Sequence, residues 1–257
     1  MVNSLLGFVS AEVVERTDWS GELFSLVIKV EGVNFQAGQF TKLALYDETG
    51  EFVRRAYSIV NHPRQYEEYG LLEFLIVTSE DGRLSPLLHQ LKAGEQVYVG
   101  KEAAGFMTLS EIPLYARDLW MLSTGTAIGP FLSMLEDTKV GSRFNHLVLC
   151  HGVRYQKDLV YQERIQTLSQ RYPGKLIYVP IVSREQDPGS LSGRIPLLLK
   201  TGMLEQTACT TLNPNESFLY LCGNPEMVKD TADTLKNMGY QKHLRRKQGH
   251  FSSENYW

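Results

Sequence analysis

The pattern of secondary-structure signals changes once, near residue 105, and that change constrains the fold more than any single motif. Before it, segments rich in β-branched and aromatic residues recur at close spacing, over 8–14, 23–30, 39–45, 52–59, 71–77 and 96–99, divided by Gly, Asn, Asp and Pro. Short, closely spaced strands predict an antiparallel barrel or sandwich. One short helix is expected at 85–91, with Ser85 as its N-cap and Pro86 in its first turn. After the change, strands at 119–123, 146–151, 176–182 and 218–222 alternate with helices at 128–135, 159–171 and 225–238. Alternation of this kind builds βαβ units on a parallel sheet. The boundary is expected in the loop between Gly105 and Asp118, dividing the chain into domains 1–105 and 116–257.

A chain of 257 residues has room for two domains of ordinary size. Its 43% hydrophobic and 21% charged residues are those of a soluble globular protein. The first ten residues do not resemble a signal peptide, and apolar runs such as 119–122 are far too short to span a membrane, so a cytoplasmic location is expected. Three scattered cysteines, Cys150, Cys209 and Cys222, cannot build a disulfide framework, a thiolate zinc site or a four-cysteine iron-sulfur cluster. If this chain moves electrons, an organic cofactor must carry them. The six histidines show no metal-ligand spacing, no nucleophile-base-acid arrangement is visible, and a net charge of -3 argues against general nucleic-acid binding.

Ligands of open parallel sheets sit at the carboxyl ends of the strands. There, Gly125-Thr126-Ala127-Ile128-Gly129-Pro130 follows the first strand and opens a helix, where backbone N–H groups and the helix dipole favour a phosphate. The same glycines also suit a tight turn for its own sake. Ser183 and Arg184 end a later strand, Arg194 follows ten residues on, and Arg154 lies beyond the strand ending at His151. Arginine suits an adenosine 2'-phosphate where NAD-specific folds place an acid, so these residues predict NADPH over NADH, with Glu185 beside Arg184 as the opposing sign. Cys222-Gly223 ends another strand: a small polarizable neighbour for a nicotinamide ring, or a buried hydrophobe. In the first half, Arg55-Ala56-Tyr57-Ser58 joins a cation, an aromatic face and a hydroxyl, the three chemistries a flavin nucleotide requires. Alternation in an extended strand would point Arg55 and Tyr57 away from Ala56 and Ser58 unless the strand bends. Arg83-Leu84-Ser85 precedes the short helix and suits either phosphate or plain capping. The run Lys242-His243-Leu244-Arg245-Arg246-Lys247 is either a solvated face or a docking patch for an acidic partner, and the segment 249–257 ends in Tyr256 and Trp257.

Taken in order, Arg-x-Tyr-Ser in a barrel half, Gly-Thr-x-Ile-Gly-Pro opening a parallel-sheet half, Cys-Gly-Asn-Pro late in it and a terminal Tyr-Trp resemble the bacterial ferredoxin/flavodoxin-NADP(H) reductases, in the enterobacterial-like branch. The resemblance covers essentially the whole chain. It implies an FAD-binding antiparallel β-barrel followed by an α/β NADP-binding domain whose tail returns to the flavin, a monomer exchanging electrons between NADPH and ferredoxin or flavodoxin. Carried over, Arg55 would meet the FAD pyrophosphate, Tyr57 would stack on the isoalloxazine, Ser58 would reach its N5, and Ala56 would lie between them. Ile76, Val77, Thr78 and Ser79 with Arg83, Leu84, Ser85 and Thr126 would complete the flavin site, and Glu254, Tyr256 and Trp257 would close it. Arg154, Ser183, Arg184, Arg194 and Gly223 would hold NADP, with Cys222 beside the nicotinamide. Plant-type members place a Glu two residues before a terminal Tyr, as Glu254 stands to Tyr256, and Trp257 departs from that pattern. A NAD(P)H:flavin oxidoreductase that releases its flavin, and a non-catalytic subunit on the same scaffold, are the alternatives.

Overall fold

The computed structural model describes residues 5–255. The first half contains β1 (Phe8–Asp18), β2 (Leu23–Lys29), β3 (Phe40–Tyr46), β4 (Phe52–Ser58), α1 (Pro63–Tyr69), β5 (Leu71–Val77), α2 (Ser85–Gln90) and β6 (Gln96–Gly100). Its strands form one antiparallel sheet in the order β4-β3-β6-β1-β2-β5. Alternation drives the curl: Phe24, Leu26 and Ile28 on one face of β2 are fully buried against Leu43, Leu72, Phe74 and Val99. Just past β4, Ile59 bridges Phe74 of β5, so the two edge strands meet at one end and close the barrel there. Beyond that bridge no ladder joins them among the described residues, and the edges part.

Two local features of this half depart from expectation. Helix α1 lies between the fourth and fifth strands, where none was expected. His62 caps it, its Nδ1 accepting the Arg64 amide at 3.2 Å while Gln65 Oε1 accepts the His62 amide at 3.2 Å, and Gly70 ends it in the left-handed region at φ 69°. Ser85 is not the N-cap of α2: Leu84 holds that position, and Ser85 Oγ instead accepts the Ser79 amide at 3.0 Å, bracing the turn before the helix.

The second half contains β7 (Asp118–Thr124), α3 (Gly129–Leu135), α4 (Lys139–Arg143), β8 (His146–Val153), α5 (Gln162–Arg171), β9 (Leu176–Val182), β10 (Leu191–Ser192), α6 (Ile195–Lys200), α7 (Met203–Ala208), β11 (Ser217–Gly223), α8 (Pro225–Asn237) and β12 (Phe251–Asn255). All six strands are parallel, in the order β10-β9-β8-β7-β11-β12. Every residue of β11 is buried, as a parallel sheet covered on both faces requires. Strand order runs outward through β8 and β9 on one side of β7 and through β11 and β12 on the other. The switch point, where such sheets bind ligands, therefore lies between β7 and β11.

The halves share a core. Val60 and Leu75 from the barrel pack in one buried cluster with Ile128, Phe131 and Leu132 from the sheet. A polar clamp crosses the same interface: the Tyr161 hydroxyl donates to Glu73 at 2.6 Å, Arg164 pairs with Glu73 at 3.0 Å and with Glu136 at 3.3 Å, and Ser133 donates to the Asn61 carbonyl at 2.8 Å. Among the described residues no helix is long and apolar enough to cross a membrane.

Candidate functional site

A cleft of about 1190 Å3 runs from the parted edges of the barrel to the strand ends of the parallel sheet. Arg55, Ala56, Tyr57 and Ser58 all border it, although side chains alternate along a strand. The reason is position: β4 is an edge strand, so its side chains and its free backbone edge face the same space. The opposite wall is the end of β5 and the turn after it, with Ile76, Val77, Thr78 and Ser79. The Tyr57 ring packs against the barrel core, and burial pushes its phenol up to about 12, with Arg55 opposing, so it presents a flat, uncharged surface. Thr78 Oγ1 is buried without a hydrogen-bond partner among the described residues, a polar atom in the wall that a ligand would satisfy.

Arg83, Leu84 and Ser85 also border the cleft, on different terms. Leu84 sends its side chain into the barrel core. Arg83 bridges Asp47 at 2.7 Å and Glu51 at 2.6 and 2.9 Å across the β3–β4 loop. Hydrogen bonds from Thr49 and then Arg83 hold the Asp47 carboxyl down at about 2, so the bridge is fully charged at neutral pH. Arg55, by contrast, pairs with no carboxylate among the described residues and donates only to the Arg54 carbonyl at 2.8 Å. Of the two arginines, Arg55 is the cation left available.

On the sheet side, Gly125 and Thr126 border the cleft at the end of β7, where Gly125 takes φ 56°. His151 pins this turn, its Nε2 lying 3.0 Å from the Gly125 carbonyl. The imidazole is fully buried, its Nδ1 has no partner among the described residues, and burial pushes its pKa down to about 4. Across the switch point, Thr124 Oγ1 accepts the Asn224 amide at 2.9 Å. Gly223 takes φ 133°, and a Cβ there would stand 2.1 Å from that same oxygen. Only glycine lets β11 close on β7 this tightly. Among the described residues that border the cleft, Gly223 and Cys222 are absent, and Cys222 is fully buried in the same cluster as Phe131 and Tyr220.

Arg154, Ser183, Arg184 and Arg194 border the far end. They stand after β8, after β9 and at the N-cap of α6, and the three arginines pair with no carboxylate among the described residues. Glu254, brought in by β12 in register with Cys222, accepts the Phe106 amide at 2.8 Å, and burial raises its pKa. Tyr256 and Trp257 lie outside the described residues. Sequence reasoning missed Phe106, Met227 and Asp230, which also border the cleft. Phe106 carried a faint signal, an aromatic directly after Gly105 in the loop between the halves. The other two look like ordinary residues of an amphipathic helix.

A closed barrel with one parted seam, facing the switch point of a parallel sheet across a single cleft, defines a two-domain oxidoreductase built for two nucleotides. The comparisons narrow the class. Residues 10–102 match the oxidoreductase FAD-binding domain family and residues 121–233 the oxidoreductase NAD-binding domain family. The chain is 49% identical to the flavodoxin/ferredoxin–NADP reductase of Escherichia coli (strain K12), covering 97% of this chain and 99% of that one. It is 34% identical to the ferredoxin–NADP reductase of Azotobacter vinelandii over 86% of each chain. A crystal structure of a ferredoxin NADP+ reductase from Neisseria gonorrhoeae with bound FAD and NADP superposes with a TM-score of 0.90 at 36% identity, covering 98% of this chain and 99% of that one. The chain belongs to the flavodoxin/ferredoxin–NADP reductases.

Proposed function

We propose that this chain passes electrons between NADPH and ferredoxin or flavodoxin, holding FAD against the barrel (1–105) and NADP(H) against the α/β domain (116–257). The observation that carries the reading is the single cleft in which the parted barrel edges face the ends of β7, β8 and β9. When bound, FAD supplies the exchange between a two-electron donor and a one-electron carrier.

The chain's own residues bind, orient and exclude water. Arg55 supplies the counter-charge for the pyrophosphate, Tyr57 a neutral ring on which to stack, and Ser58, only 8% exposed, a fixed hydroxyl beside the reactive ring atom. Thr78 Oγ1 takes a ligand partner in place of the one it lacks. Arg154, Ser183, Arg184 and Arg194 hold the adenosine phosphate. Cys222 acts from below, fixing the floor on which the nicotinamide lies.

The acidic carrier docks on the basic run, a monomer of the reductase meeting one carrier molecule in the cytoplasm. Lys242, Arg245, Arg246 and Lys247 are exposed, and Arg245 lies over the Phe106 ring at 3.9 Å, at the rim of the cleft. A positive rim accelerates encounter with an acidic protein and makes it salt-sensitive. The test is an absorbance spectrum of the purified protein before and after anaerobic NADPH. A yellow protein that bleaches supports the reading; a colourless one that reduces added flavin supports a flavin oxidoreductase.

A further inference from the structure

The ends of β8 and β9 remain zipped together after the sheet ladder stops. The Ser183 amide donates to the Val153 carbonyl at 3.1 Å and the Arg184 amide to the Arg154 carbonyl at 3.0 Å. The Ser183 hydroxyl repeats the first contact at 3.1 Å. One step further the acceptor is a side chain: the Glu185 carboxylate takes the Gln156 amide. Gln156 opens a 3-10 turn, Gln156–Asp158, whose leading amide would otherwise lack a partner, and Asp158 borders the cleft.

We propose that Glu185 is a positioning residue for coenzyme preference, clamping the Arg154 loop to the Arg184 loop so that both guanidinium groups converge on an adenosine 2'-phosphate. The inference rests on the reading of Arg154 and Arg184 as the phosphate site. By charge alone Glu185 argues the other way, because a carboxylate next to Arg184 repels a phosphate. Two features decide the sign. The carboxylate is committed to the Gln156 amide, and the whole loop is exposed, where repulsion is screened by solvent and salt. Loop spacing, which sets whether two forked cations reach one phosphate, is not screened. The outer side of the clamp is an open depression of about 350 Å3 lined by Tyr155, Gln156, Lys157 and Glu185, so shortening residue 185 leaves no buried void.

Two variants separate clamp from charge. Glu185→Gln keeps an oxygen that accepts the Gln156 amide and removes the charge, whereas Glu185→Ala removes both. The holoenzyme variants are titrated calorimetrically with 2',5'-ADP and with 5'-AMP, beside KM and kcat for NADPH. Glu185→Ala weakens 2',5'-ADP about fivefold, the scale of one hydrogen bond, with 5'-AMP unmoved, KM raised and kcat unchanged. Glu185→Gln binds 2',5'-ADP as tightly as the parent or more so. Equal tightening by both variants, equal weakening of both ligands, or no change in the alanine variant overturns the clamp. Arg184→Ala in the same titration separates the layers. If it loses the preference for 2',5'-ADP while Glu185→Ala does not, the clamp falls and the phosphate site stands. If Arg184→Ala keeps that preference, the phosphate site falls and the clamp with it.

Discussion

The two walls of the cleft treat their charges differently. On the barrel wall, Arg83 is already neutralised by Asp47 and Glu51, its turn is braced by the Ser85 hydroxyl, and a single arginine of the cleft, Arg55, has no carboxylate partner among the described residues. On the sheet wall, the floor is locked by His151 at Gly125 and by Thr124 at Asn224, yet the rim carries Arg154, Ser183, Arg184 and Arg194 with its arginines unpaired by carboxylates among the described residues. A wall with one free cation and one unpartnered hydroxyl set among bonds already made suits a cofactor that stays. A rigid floor with an unneutralised rim suits a substrate that arrives by charge and leaves again. Preorganisation and electrostatic capture are thus separated in space.

The largest effect expected is at the floor. Gly223→Ala places a methyl against Thr124 Oγ1 at a φ that L-residues rarely adopt, and should cost about 3 kcal/mol or more of stability. Urea unfolding measures it; a loss under 1 kcal/mol would mean the switch point is softer than its geometry.

Acid should weaken the same floor. Burial pushes the His151 imidazole down to about 4, below its ordinary value of about 6.5, so between those values the unfolded chain binds the extra proton. Stability is complete above about pH 6.5 and declines as pH falls toward 4, by up to about 3 kcal/mol from this residue. Denaturation midpoints from pH 7 to pH 4.5 should flatten in His151→Gln, and an unchanged acid slope in that variant would remove His151 from the account.

At the rim, Arg184→Ala should raise KM for NADPH roughly tenfold or more while NADH changes little. Equal effects on both coenzymes would erase the contrast between the walls. Rising ionic strength should likewise raise KM for NADPH without releasing flavin. The smallest effect belongs to the barrel's bridge. Glu51→Ala leaves Arg83 with Asp47, so flavin affinity, read by fluorescence on dilution, should shift by less than about threefold.

How much of this was legible in the chain depended on range. The six barrel strands and the main βαβ alternation followed local periodicity, and the motifs within β4 and after β7 and β9 fell where strand ends meet the cleft. Helix α1 was also locally encoded, in His62, Pro63, Gln65 and Gly70, but histidine is an uncommon cap. Helix α6 was hidden because Arg194-Ile195-Pro196 read as a ligand loop, although Pro196 suits a first helical turn. The pairing of Arg83 with Asp47 and Glu51 had no local signature, since it joins segments more than thirty residues apart. Cys222 stayed open in the sequence between a buried hydrophobe and a nicotinamide neighbour, because a strand-end position does not say how deeply the last side chain sits; it is fully buried.

The parted seam between β4 and β5 has a consequence for the life of the protein in a cell. Without its cofactor, the barrel displays two strand edges with no ladder between them, the type of surface that recruits other chains or proteases. Flavin supply would then govern how much of this protein persists as well as how fast it works. Starving cells of riboflavin should lower its abundance with its messenger RNA unchanged.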